Sequence, residues 1–157
     1  MKVTDTSPAF AVKFGTDGWR GVIAEDFTFA NVRIAAAAIA NYILAEEDPT
    51  RGICIGYDTR FGSERFAEVA AETLAFAGIA VQLANRVTPT PAVSFGVRER
   101  GTAGGIMITS SHNPYQWNGV KVKEKFGGSA RPTVIMQIQA EIAACAILTG
   151  YLRDVLQ

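Results

Sequence analysis

Ile106-Met107-Ile108-Thr109-Ser110-Ser111-His112-Asn113-Pro114 decides how this chain is read. Ile106 to Ile108 are apolar and two of the three are β-branched, as a strand buried on both faces requires. The strand runs into polar residues that place the hydroxyl of Ser111 beside a histidine, an amide and a proline. A loop at the carboxyl end of a buried strand is exposed yet held by a rigid scaffold, which is where open α/β sheets bind ligands and do chemistry. Asn118-Gly119-Val120-Lys121 follows closely, so a lysine comes back toward the serine loop.

Outward from this stretch the chain alternates strand-like and helix-like segments. Val12 to Gly15 is expected as a short strand entering a glycine-rich loop. Thr28 can cap a helix reaching about Glu46, because its hydroxyl can accept from an orphan backbone N–H. That helix is apolar almost all round at Ile34 to Ala40, which implies burial against more than one neighbour. Ile53 to Tyr57 is a buried strand. Ser63 is expected to cap the next helix, with Phe66, Val69, Ala70, Leu74 and Ala77 on one face and a stop at Gly78. Ile79 to Leu83 is a further strand. Pro91 suits the first turn of a helix ending near Gly101, and Ala103 to Thr109 leads to the serine loop. Asn118-Gly119 is a turn dipeptide that could send a short strand, Val120 to Lys123, along a sheet edge. Pro132 opens a final helix using Val134, Ile138 and Ile142, and Thr149 to Gln157 is expected to begin a connector. Strands separated by helices predict an α/β fold, a largely parallel sheet covered on both faces.

Composition narrows the function classes. The chain has 157 residues, enough for one domain with a real core, and 48% are apolar against 19% charged. Fifteen basic side chains match fifteen acidic ones, so no global field favours nucleic acid or an anionic membrane. Lys121, Lys123, Lys125 and Arg131 face only Glu124 in their stretch; charge alone reads this as a solvated face, and a phosphate-bearing serine loop beside it would make it a phosphate-attracting rim. Cys54 and Cys145 are distant and lack a C-x-x-C partner, so both are expected as buried structural thiols. Met1 to Ala11 lacks the basic-then-apolar order of a signal peptide, and no apolar run is long enough to span a bilayer. A cytoplasmic location is the expectation.

Three motifs together resemble one family. The serine loop followed by Asn118-Gly119-Val120-Lys121 is similar to the phosphoserine loop of the α-D-phosphohexomutases, the phosphoglucomutase and phosphomannomutase family. Phe14-Gly15-Thr16-Asp17-Gly18-Trp19-Arg20-Gly21 resembles that family's amino-terminal signature, and Gly56-Tyr57-Asp58-Thr59-Arg60 its Gly-x-Asp-x-Arg strand end. The resemblance implies the family's first domain, a three-layer α/β/α arrangement with a mixed, mostly parallel sheet containing one antiparallel strand. Residues 1–157 would form that single domain. The sequence shows none of the loops by which the family's domains II–IV bind metal, sugar hydroxyls and the non-reacting phosphate.

The resemblance also implies roles. Ser111 would carry the phosphoryl group and, through its phosphate, ligate Mg2+. Lys121 would act as the base, Arg20 would hold phosphoryl oxygens or a carboxylate of the family's metal loop, and His112 would lie in the site to orient phosphate or loop. Thr16, Asn113, Asn118, Asp58 and Arg60 would bind phosphate or brace the loop. The substrate would be a hexose phosphate, with glucose 1,6-bisphosphate as activator and the family's remaining domains as partners. An apolar face left without those domains would favour self-association. Ser110 offers a second hydroxyl where the family often has alanine or glycine. Trp19 resembles the phosphoglucomutase/phosphomannomutase branch more than the phosphoglucosamine branch. A different class is the alternative, a non-catalytic single-domain relative that binds phosphosugar or protein partners. A hydrolase is a distant third, because His112 is the single histidine and no G-x-S-x-G elbow is present.

Overall fold

A computed structural model describes residues 12–155, with side chains described as far as residue 145. Met1 to Ala11, Leu156 and Gln157 lie outside the described residues. Five strands form one sheet: β1 (Trp19–Val22), β2 (Ile53–Tyr57), β3 (Val81–Leu83), β4 (Gly104–Ile108) and β5 (Trp117–Glu124). Among the described residues four α-helices and a short 3-10 helix (Pro49–Arg51) accompany them: α1 (Phe29–Glu46), α2 (Ser63–Phe76), α3 (Thr90–Arg100) and α4 (Pro132–Val155). The strand order is β1-β5-β4-β2-β3. β3, β2 and β4 are parallel, and β5 runs antiparallel to both of its neighbours. The sheet is therefore mixed with one reversed strand, as the resemblance implies.

Alternation along the strands builds the layers. Ile53, Ile55, Ile106, Ile108, Val120 and Val122 join the main core with Ile39 of α1, Leu74 of α2 and Ile138 of α4. The opposite face meets α3, which packs chiefly on β2 and β4. Glycines make that approach close: a Cβ on Gly56 would lie 2.4 Å from Val93 Cγ2, and one on Gly105 2.6 Å from Val97 Cγ2. The result is three layers, α/β/α, with α1, α2 and α4 on one face. α1 is capped by Thr28, whose hydroxyl accepts from the Asn31 N–H at 3.2 Å, and its alanine run is buried between α2 and α4.

Several local expectations are corrected. Val12 to Gly15 forms no strand, because a side chain takes the partner's place. Gln139 of α4 accepts from Phe14 N–H at 2.8 Å and donates to the Val12 carbonyl at 3.1 Å. The amino-terminal strand instead starts at Trp19, after a tight Gly15–Gly18 turn. Ser63 is the first helical residue and not a cap; Gly62 occupies the cap position at φ 73°, and the Ser63 hydroxyl turns to Asp58. Asn118-Gly119 is no turn and β5 is no edge. Both residues lie inside β5, paired to Gly21 and Arg20. Glycine is needed at 119 for space, since a Cβ would meet the Trp19 and Thr109 carbonyls at 2.6 and 2.7 Å. The Ile79 strand shortens to Val81–Leu83, with Ile79 itself buried. α4 continues through Thr149 to Val155.

Candidate active site

The sheet brings the three motifs together. β2 delivers Asp58 and Arg60 at its carboxyl end, β4 delivers Thr109 to Pro114, and β5 carries Lys121. β1 pairs with β5 so that Arg20 lies opposite Gly119. Arg20 and Lys121 then meet at Asp17, whose Oδ2 accepts from Lys121 Nζ at 2.8 Å and from Arg20 at 3.2 Å. Arg20 also donates to Asn113 Oδ1 at 3.1 Å, which ties the amino-terminal motif to the serine loop. Burial tends to raise the Asp17 carboxyl, but the Lys121 hydrogen bond and both cations outweigh it and hold it below its ordinary value.

Ser111 is exposed and sits in the left-handed region at φ 56°. A residue with a Cβ adopts that conformation only where its surroundings fix it, at a cost of about 1–3 kcal/mol. The fixing is visible. Ser111 N–H donates to Thr109 Oγ1 at 3.0 Å, and Asn113 N–H to the Ser110 carbonyl at 3.1 Å. Arg60 donates to the carbonyls of Ser111, Asn113, Pro114 and Trp117 at 2.7–2.9 Å. Asp58 receives the Arg60 backbone N–H at 3.0 Å and the Ser63 hydroxyl at 2.8 Å. Asn118 is fully buried and donates to Ser63 Oγ at 2.9 Å.

The expected residues therefore divide. Arg20, Lys121 and Asn113 share one network, and Asp58, Arg60 and Asn118 brace the loop from beneath. His112 and Thr16 are exposed on the same loops, and neither side chain joins that network. The Ser110 hydroxyl is completely buried and has no hydrogen-bond partner, so it is not presented beside Ser111. Trp19 is buried on Phe27, ring centroids 4.8 Å apart, and does not face the site. Asp17, Ser63 and Thr109 brace this arrangement by hydrogen bonds, and sequence reasoning assigned none of them to it, although Asp17 lies inside the quoted motif three residues before an arginine.

The basic rim is corrected. Lys125 pairs with Glu47 and Arg131 with Glu124, at the opposite end of β5 from the serine loop. Lys123 is buried and donates to Ser129 Oγ at 3.1 Å, with burial pushing its ammonium below its ordinary value. Of the four cations, Lys121 alone reaches the site. Cys54 is buried and Cys145 half-buried. Among the described residues no cluster of three His, Cys, Asp or Glu side chains could hold a metal ion.

Known proteins place this geometry. The model of the phosphoglucomutase/phosphomannomutase α/β/α domain I matches residues 11–146. A phosphoglucomutase of Staphylococcus saprophyticus is 35% identical over 134 residues, 83% of this chain and 24% of that protein. A phosphoglucosamine mutase of Deinococcus radiodurans is 34% identical over 135 residues, 86% of this chain and 30% of that protein. The crystal structure of a Thermus thermophilus protein described as a phosphomannomutase superposes with a TM-score of 0.79 at 40% identity, covering 84% of this chain and 30% of that one. The chain thus spans 24–30% of the length of these relatives. With matched motifs, sheet order and family model in agreement, it belongs to the phosphoglucomutase/phosphomannomutase family as an α/β/α domain I.

Proposed function

We propose that this chain bears the phosphoserine of a phosphohexomutase that interconverts hexose 1-phosphate and hexose 6-phosphate. The observation that carries the reading is the Ser111 loop: an exposed hydroxyl on a strained backbone, locked by Arg60 and tied through Asn113 to the Arg20–Asp17–Lys121 cluster. Phosphorylated Ser111 would donate its phosphoryl group to a free sugar hydroxyl. The P–Oγ bond breaks, the new P–O bond forms, the sugar hydroxyl proton passes to a base, for which Lys121 is the candidate, and the freed Ser111 Oγ takes up a proton. The bisphosphate then reorients and returns its other phosphoryl group to Ser111, so the sugar leaves with its phosphate moved. Arg20, with a fixed fork of donors, suits the equatorial oxygens of the group in transfer.

Mg2+ is part of the proposal and would offset charge on the transferring group. The described residues do not build a site for it by themselves, so this chain would contribute only the Ser111 phosphate. Substrate anchoring likewise falls to the rest of a full-length mutase. The isolated chain is therefore proposed to fold without turning over sugar phosphate, in the cytoplasm. No helix among the described residues is long and apolar enough to cross a membrane.

Incubation with glucose 1,6-bisphosphate, of the full-length protein or of this chain mixed with the complementary domains, should add one phosphate at Ser111. Peptide mapping that found the label on Ser110 would overturn the assignment. Robust glucose 6-phosphate formation by the 157-residue chain alone, in a coupled assay with Mg2+ and bisphosphate, would reject the need for further domains. Phosphosugar binding without any Ser111 labelling would favour the non-catalytic module.

A further inference from the structure

Asp17 is an acid placed where an anion site needs cations. A single oxygen, Oδ2, receives both the Lys121 ammonium at 2.8 Å and the Arg20 guanidinium at 3.2 Å. The two donors therefore converge on one point that is already occupied by negative charge. The partners differ in freedom. The Lys121 side chain is 13% exposed and Arg20 27%, whereas Asp17 is 47% exposed. Lys121 and Arg20 both stand on paired strands, and Arg20 is held a second time by Asn113. Asp17 precedes β1 in the exposed Gly15–Gly18 turn. Half-exposed ion pairs are weak and exchangeable. A phosphoryl group carries roughly two negative charges and three acceptor oxygens, so it outcompetes one carboxylate for the same donors.

We propose that Asp17 is a positioning residue that keeps the phosphoryl group's place. In the unphosphorylated chain its carboxylate neutralises Lys121 and Arg20 and holds them converged. It is displaced when a phosphoryl group arrives on Ser111 or on a substrate. Without it, two cations would face each other across an empty gap and drift apart or bind stray anions. The inference rests on the reading of Ser111 as the phosphoryl acceptor, and it adds a device that suppresses anion binding between transfers.

Asp17→Asn separates this role from simple bracing of the turn, because asparagine keeps the shape and an acceptor oxygen but removes the charge. The probe is inorganic phosphate, titrated into the unphosphorylated chain and followed by 31P NMR and calorimetry. A place-holder predicts that phosphate binds about fivefold more tightly to Asp17→Asn, the effect of one unit charge a few ångströms away in a watery site. Adding Lys121→Ala should abolish the gain. Unchanged or weaker binding in Asp17→Asn, or no binding in either protein, overturns the inference. Should Asp17→Asn melt early, Asp17→Ser provides the same charge removal. Labelling of Ser111 by bisphosphate, measured on the full-length parent, keeps the two readings apart. Labelling with unaltered phosphate affinity sinks Asp17 alone, whereas tighter phosphate binding with no labelling sinks Ser111.

Discussion

Arg60 directs its guanidinium entirely at backbone and at Asp58, leaving nothing for a ligand. Its fork geometry is what permits carbonyls from four loop residues to be held at once, and a lysine has no such fork. Arg60→Lys should therefore loosen residues 111–117 while keeping the charge. Each hydrogen bond to a charged group is worth about 1.5–3 kcal/mol, so a loss of roughly that size should appear in urea unfolding. Ser111 labelling should slow, and limited proteolysis should cut the loop faster than in the parent chain. Unchanged proteolysis and labelling would show that the loop holds itself. At this scale the sequence was informative about which residues matter and less so about what they do. Ser111, Arg20 and Lys121 could be picked from motifs. Whether Asn118 faces solvent or Ser63 depends on strand register, which no local pattern specifies.

α3 lies against the sheet through glycines on β2 and β4, and this contact has a sharp steric test. A methyl at Gly105 would stand 2.6 Å from Val97 Cγ2 and 3.3 Å from the Cys54 carbonyl and Val93 Cγ1. Gly105→Ala should force α3 outward, at the usual cost of about 1–3 kcal/mol for overpacking. Thermal melts of the variant check this, and an unaltered melting temperature would mean that α3 yields freely. Most elements were legible from periodicity. Ile53 to Tyr57 and the helix ending at Gly101 have the buried strand pattern and the proline–glycine punctuation that fix their ends. β1 was missed because only Trp19 and Gly21 face the core there, too short a run to show a period. β5 was shortened because Asn118-Gly119 has the chemistry of a turn, while its actual use is a buried hydrogen bond and close backbone contact.

The molecule as a whole carries an acid-sensitive bond far from the site. Glu124 is buried, which tends to raise its carboxyl. Hydrogen bonds from the Arg131 side chain and backbone outweigh that and hold it below its ordinary value of 4.5. An acid depressed in the fold contributes stability above its unfolded pKa, and that contribution is lost as pH falls through the folded value. Glu124→Gln should accordingly be less stable near neutrality, and the gap to the parent should shrink below about pH 4. Melting temperatures between about pH 7 and pH 3 read this directly; a constant gap would assign the loss to packing. The layered architecture was legible in the alternation of elements, whereas the partners of Lys125 and Arg131 were not, because long-range ion pairs leave no mark on local charge counts.

Among the described residues β1 pairs only with β5, and Trp19 lies opposite Val120. The first motif of the chain thus has no seat in the sheet until the last strand exists. During synthesis, residues 12–110 can leave the ribosome and form β2, β3 and their helices while Arg20 waits unpaired. Loop closure over so long a separation is slow compared with local pairing. The Arg20–Asp17–Lys121 cluster therefore waits for Lys121, and a nascent chain stalled before that residue has neither the cluster nor the α4 side of the core.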